Sequence, residues 1–144
     1  MTLAKALKKK NRIAQKISTL QGEIQRENSA RKDDLRKIDV NKLMTDLQAA
    51  KNDLIKLKIA IFIASTPQRD NILKLGELKS HVAFLRGIST TEGKVNDYGN
   101  DNEVEYTAVF DKLYIRTETE RAEEEIDDIQ DELDNFNHTA EVKA

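Results

Sequence analysis

The chain has 144 residues, of which 38% are hydrophobic and 35% charged, with a formal net charge of −2. Beside an average domain, at roughly 45–50% apolar and about 25% charged, it is apolar-poor and charge-rich, so it can bury helix seams but not a thick globular core. It contains no cysteine, which excludes disulfides, thiolate metal sites and thiol catalysis.

Five glycines and one proline leave little turn punctuation, and the length suits a single helical domain over 1–144. The longest apolar run, Ile59 to Ala64, is far below the ~20 residues needed to span a bilayer. Lys5, Lys8, Lys9 and Lys10 are followed by no apolar signal core. These features predict a soluble protein with no membrane partner, in the cytoplasm or alternatively in a virion. The small net charge hides a gradient: +7 over residues 1–38, +3 over 39–88 and −12 over 89–144. Opposite ends of such a chain attract, within one copy or between copies.

The first helix is expected over about 2–27, capped by Thr2. Leu3, Leu7, Ala14, Ile17 and Ile24 mark a seven-residue seam, widened by Ile13 and Leu20 and interrupted by Lys10 and Gln21. A polar, basic connection follows from Asn28 to Asp39. The second helix, 40–64, carries the clearest pattern, with Asp39 as its cap. Val40, Leu43, Leu47, Ala50, Leu54, Leu57, Ile61 and Ala64 form an unbroken a/d repeat. Met44, Ile55, Ile59, Phe62 and Ile63 lie off that seam, so the C-terminal end of the helix is apolar nearly all round and calls for several neighbours.

Ser65-Thr66-Pro67 punctuates, with Thr66 as the expected cap and Pro67 as the first residue of a third helix, 67–87. Its seam is Leu75, Leu78, Val82 and Leu85, flanked by Ile72, Phe84 and Ile88. The tight turn before it implies an antiparallel hairpin of the second and third helices. Residues 89–103 read as a flexible loop, rich in Gly93, Asn96, Asp97, Gly99, Asn100, Asp101 and Asn102. The alternation at 104–110 suggests one short strand or hairpin. The last helix, 111–137, holds a seam of Ile115, Ala122, Ile126, Ile129, Leu133 and Phe136 beneath a strongly acidic face; residues beyond Asn137 are expected to fray.

Along this frame the sequence holds no catalytic or metal-binding constellation. His81 lies four residues after Glu77, and His138 four after Asp134, but no H-E-x-x-H or Glu-x-x-His arrangement exists. Both histidines read as surface or packing residues. The acidic loop at 96–105 lacks a calcium-loop register, and no phosphate loop or nucleophile elbow occurs. Carboxylates on an exposed acidic face have no apolar site to shift their pKa for catalysis. No enzyme activity, metal or cofactor is therefore expected. The basic first third could track phosphates, but no aromatic residues interleave it for base stacking.

The layout resembles a small uncharacterised bacterial and phage helical family, some members of which are called septicolysin-like. The residues carrying the likeness are Leu3-Ala4-Lys5-Ala6-Leu7, the heptad helix, Arg69-Asp70, Ile126-Asp127-Asp128-Ile129-Gln130, and Asn137-His138-Thr139-Ala140-Glu141. The family tail typically reads Asn-Trp-Thr; here His138 stands in the Trp position. The resemblance implies an all-helical oligomer and carries no established activity.

The resulting expectation is a mostly all-α chain, an antiparallel helical bundle with coiled-coil seams. Its function is that of a non-enzymatic homo-oligomeric structural or interaction protein, such as a phage virion accessory component joined to other structural proteins. The seam residues expected to carry assembly are Val40, Leu43, Leu47, Leu54, Leu57, Ile61, Phe62, Ile126, Ile129 and Leu133. Lys8, Lys9 and Arg12 are expected to pair with Glu123, Glu124 and Asp127. The alternative is a nucleic-acid-associated protein using the basic first helix.

Overall fold

A computed structural model describes residues 1–96 and 102–143. The chain is mostly helical, with one small two-stranded antiparallel sheet. Its contacts cluster into two compact units, where the sequence suggests a single domain. One comprises Met1–Pro67 with Asn135–Ala144, the other Gln68–Asp134.

In the first unit, α1 spans Leu3–Glu27 and α2 spans Val40–Ala64. Both begin on the residues expected to cap them. The Thr2 hydroxyl accepts from the Lys5 N–H at 3.4 Å, and the Asp39 carboxylate from the Lys42 N–H at 3.2 Å. Each satisfies one amide that the first helical turn leaves without a partner. At the other end of α1, the Arg36 guanidinium donates to the carbonyls of Glu27 (2.9 Å) and Asn28 (3.3 Å). A cation there meets the negative end of the helix dipole, so the polar connection folds back to close the helix it leaves.

Leu3 and Ala6 pack with Leu57, and Leu20 packs with Leu47 and Ala50. The two helices therefore run antiparallel and form the hairpin of this unit. The hairpin expected from α2 and the third helix falls across the boundary between the units. The α2 seam is as read: Leu47, Ala50 and Leu57 are buried, and Val40, Leu43, Leu54, Ile61 and Ala64 are half-buried. The α1 seam differs at two places. It runs through Leu3, Ala6, Leu7, Ile13, Ile17, Leu20 and Ile24, while Ala14 is exposed. Leu7 packs against the core as expected, and beside it the small Ala6 is fully buried and allows close approach of α2.

The C-terminal residues do not fray. They belong to this core: Val142 is 4% exposed and packs with Leu3, Ala6 and Leu57. The Leu3 N–H donates to the Ala140 carbonyl and the Val142 N–H to the Met1 carbonyl, each at 2.8 Å, around an antiparallel bridge of Thr2 with Glu141. Two backbone hydrogen bonds and one buried valine offset the ordering entropy that would otherwise free such a tail.

A short 3-10 turn, Thr66–Gln68, spans the end of the first unit, and in the second α3 spans Arg69–Gly87. This corrects the expected start at 67. Thr66 does not cap α3; its hydroxyl donates to the Phe62 carbonyl at 3.2 Å, and the Ser65 hydroxyl donates to the same oxygen at 3.1 Å. The last carbonyls of α2 lack helical partners, and they take hydroxyls that would otherwise serve the next helix. Gln68, at the N-cap of α3, makes no side-chain capping bond.

The expected loop holds a strand, β1 (Gly93–Asn96), paired with β2 (Glu103–Tyr106) in the register Lys94↔Glu105 and Val95↔Val104. All eight strand residues are exposed. Gly93, at φ 83°, adopts a backbone that other residues enter only with strain. Asp97, Gly99, Asn100 and Asp101 of the expected loop lie outside the described residues. The last helix, α4, spans Lys112–Thr139, and the Asp111 carboxylate accepts from the Tyr114 N–H at 2.8 Å. Residues 135–139 of α4 belong to the first unit.

The charge gradient follows the same division. The first unit carries 16 Lys/Arg against 8 Asp/Glu, a net of +8; the second carries 8 against 18, a net of −10.

Candidate interaction surfaces

Of the side chains expected to carry assembly, Leu47, Leu57, Ile129 and Leu133 are buried, and Val40, Leu43, Leu54, Ile61 and Ile126 are half-buried. Phe62 stands off the seam and is exposed. It lies beside a row that the seam does not use. Ile55, Ile59 and Ile63 follow one another at four-residue spacing on α2, and are 56%, 55% and 66% exposed. Four-residue spacing places them along one ridge of the helix surface. Lys58 and Phe62 border the ridge on one side, Lys56 and Ala60 on the other, and Lys51 stands one turn before it. The packing of α1 onto α2 uses the other face, which is why this one stays bare.

The second unit is open in a different way. Among its buried positions are Val82 and Leu85 of α3 and Ala122 and Ile129 of α4. Arg86 of α3 pairs with Glu123 of α4. On α4 itself, Arg116 meets Glu120 at 3.0 Å and Arg121 meets Glu118 at 3.4 Å. A groove of about 580 Å³ lies between the two helices, lined by Leu73, Lys74, Glu77, Leu78 and His81 of α3 and Glu125 of α4. His81 stacks on Phe84, with ring centroids 6.0 Å apart. Leu73 is 61% exposed at the mouth. Near the start of α4, Phe110 and Tyr114 stack at 4.7 Å, beside the exposed Leu113.

The charge-pairing residues are distributed unevenly. Lys8, Lys9 and Arg12 are exposed on α1, and Lys9 shares a shallow α1–α2 groove with Asp53 and Lys56. Glu124 and Asp127 are exposed, whereas Glu123 is taken by Arg86. That partner stands 37 residues away in sequence and leaves no periodic trace. Three further residues escape sequence reasoning: Ala6 is too small to mark a seam, Val142 stands alone in a polar tail, and Arg36 sits in a run that reads only as basic. The capping role of Arg36 has a weak signal, an arginine soon after the end of a helix.

Among the described residues, no group of three or more His, Asp or Glu is placed to hold a metal ion, and no helix is long and apolar enough to cross a membrane. The described surface carries an exposed apolar ridge on α2 and a groove with carboxylates in its lining between α3 and α4. No protein-family model, curated protein or solved structure matches the chain. The class defined by the fold is a mostly helical protein with one small antiparallel hairpin, and its function has to be read from its own residues.

Proposed function

We propose that the protein is a non-enzymatic structural or interaction module that works as a homo-oligomer, a helical bundle with coiled-coil seams whose copies meet through the exposed face of α2, within a larger assembly such as a virion. The observation that carries this reading is the exposed ridge Ile55–Ile59–Ile63. Fully burying an isoleucine is worth roughly 1.5–3 kcal/mol. Covering the exposed half of each of these three therefore returns about 1 kcal/mol apiece. Lys8, Lys9 and Arg12 of one copy and Glu124 and Asp127 of another add attraction. At about 0–1 kcal/mol per exposed pair, they guide register more than they hold the assembly.

Light scattering on the purified protein at micromolar concentration tests this directly. A mass that is a multiple of the single chain is expected, and a monomer at every concentration overturns the reading.

A second reading has one observation of its own: the +8 of the first unit, with Lys8, Lys9 and Arg12 exposed on α1. A nucleic-acid partner would release counterions, and its affinity would fall steeply with salt. A titration of binding to a DNA duplex against salt separates the two readings, and absence of binding at low salt removes this one.

A further inference from the structure

We infer that the protein assembles head to tail: the Ile55–Ile59–Ile63 ridge of one copy seats in the α3–α4 groove of a second copy. This rests on the homo-oligomeric reading and specifies the contact that makes it.

The two surfaces match in two independent respects. The ridge is convex and apolar, three branched side chains in a line on one helix face. The groove is shallow and open, with the apolar Leu73 and Leu78 among its lining to meet that ridge. Their charges are also opposite. Lys56 and Lys58 flank the ridge and Lys51 precedes it, with no acidic residue among its side-chain neighbours on that face. Glu77 and Glu125 line the groove, and Asp128 and Glu132 continue its acidic border along α4 at helical spacing. The single basic residue in the lining, Lys74, does not reverse this balance.

The same complementarity holds at the scale of whole units, +8 on the ridge side and −10 on the groove side. Two ridges brought together would oppose lysines, and two grooves would oppose carboxylates. A symmetric like-to-like contact is thus disfavoured at both surfaces, and ridge-to-groove is the pairing left. Because the surfaces differ, the contact is heterologous. Repetition closes into a ring or continues as a filament.

Mixing two single-surface variants tests this. Ile59→Asp removes the centre of the ridge and sets a carboxylate against the groove. Leu73→Asp breaks the groove and leaves the ridge whole. Both side chains are more than half exposed, and far-UV circular dichroism checks that helicity is kept. If either variant loses helicity, Ile63→Asp and Glu77→Lys replace them.

Each variant alone should associate at least tenfold more weakly than the parent. An equimolar mixture should form a two-chain species by light scattering and nothing larger, since one intact ridge meets one intact groove. If the parent is oligomeric but the mixture stays monomeric, the head-to-tail contact is wrong while the oligomeric reading stands, and the groove serves a different occupant. Variants that keep the mass of the parent overturn the inference too. A monomeric parent overturns both readings together.

Discussion

The two units are both built on long helices and arrive at different ends. In the first, α1 and α2 each present a stripe with alternating three- and four-residue steps, and the stripes face each other. Leu3, Ala6, Leu57 and Val142 form one buried cluster and Leu20, Leu47 and Ala50 another, with Ile13 packed against both. In the second, α3 carries a seam of its own, Leu75, Leu78, Val82 and Leu85, with further apolar residues off it. Ile72, Leu73 and Phe84 are exposed while Val82 and Leu85 are buried, and the helix meets α4 across a groove. Helix length and apolar content do not by themselves decide whether a hairpin closes. Nor does matched periodicity, since α3 and α4 both carry such a seam: the first pair closes over two buried clusters, whereas the second leaves a groove.

If that contrast is correct, the largest effects of mutation lie in the first unit. Val142→Asp should destabilise it most. The substitution places a carboxylate beside Leu3, Ala6 and Leu57 without a partner, and a buried unpaired charge is among the few single changes that cost more than about 3 kcal/mol. Leu57→Ala should cost about 2–5 kcal/mol, as removal of a buried leucine does. Urea unfolding followed by circular dichroism measures both. If Val142→Asp unfolds at the same midpoint as the parent, the tail is not part of the core.

A smaller effect sharpens the comparison at the helix ends. Asp39→Ala removes the side-chain acceptor at the start of α2 and should cost about 1 kcal/mol. Asp39→Asn, which retains an acceptor, should recover most of it. Equal losses in the two variants would mean that the Asp39 side chain acts through its charge and not through the hydrogen bond to the Lys42 N–H.

The elements were legible in the sequence wherever periodicity was unbroken. The a/d repeat from Val40 to Ala64 placed α2 with both ends correct, because every seam position is apolar and Asp39 is a strong cap. On α1 the same reasoning finds Leu7, which packs on the core, but misses Ala6 and includes the exposed Ala14, since pattern matching weighs hydrophobicity while packing weighs shape. Thr66 misled for a different reason. A hydroxyl beside a helix end can serve the helix before it or the one after it, and local sequence does not say which carbonyl is vacant. Val142 and Ala140 were illegible because their partners, Leu3 and Met1, stand at the other end of the chain. The ridge at Ile55, Ile59 and Ile63 was visible as apolar excess, but its exposure could be known only once α1 was seen to occupy the opposite face. The groove depends on α3 and α4 meeting, and no spacing within either helix announces it.

The smallest effect belongs to the pair that joins α3 to α4. Arg86 and Glu123 have side chains 65% and 42% exposed, so water screens their attraction and holding two long side chains in one geometry costs entropy. Arg86→Ala should lower stability by no more than about 1 kcal/mol at low salt. At 1 M salt, where the screening length falls to about 3 Å, the difference between variant and parent should nearly vanish. Arg86→Lys should fall between the two, since lysine keeps the charge but loses the planar fork that aligns with a carboxylate. A loss above about 2 kcal/mol that persists at 1 M salt would show that the aliphatic stem of Arg86 packs between the helices and that the second unit has more of a closed core than its groove implies. The contrast between a zipped hairpin and an open helix pair would then have to be redrawn as one of degree.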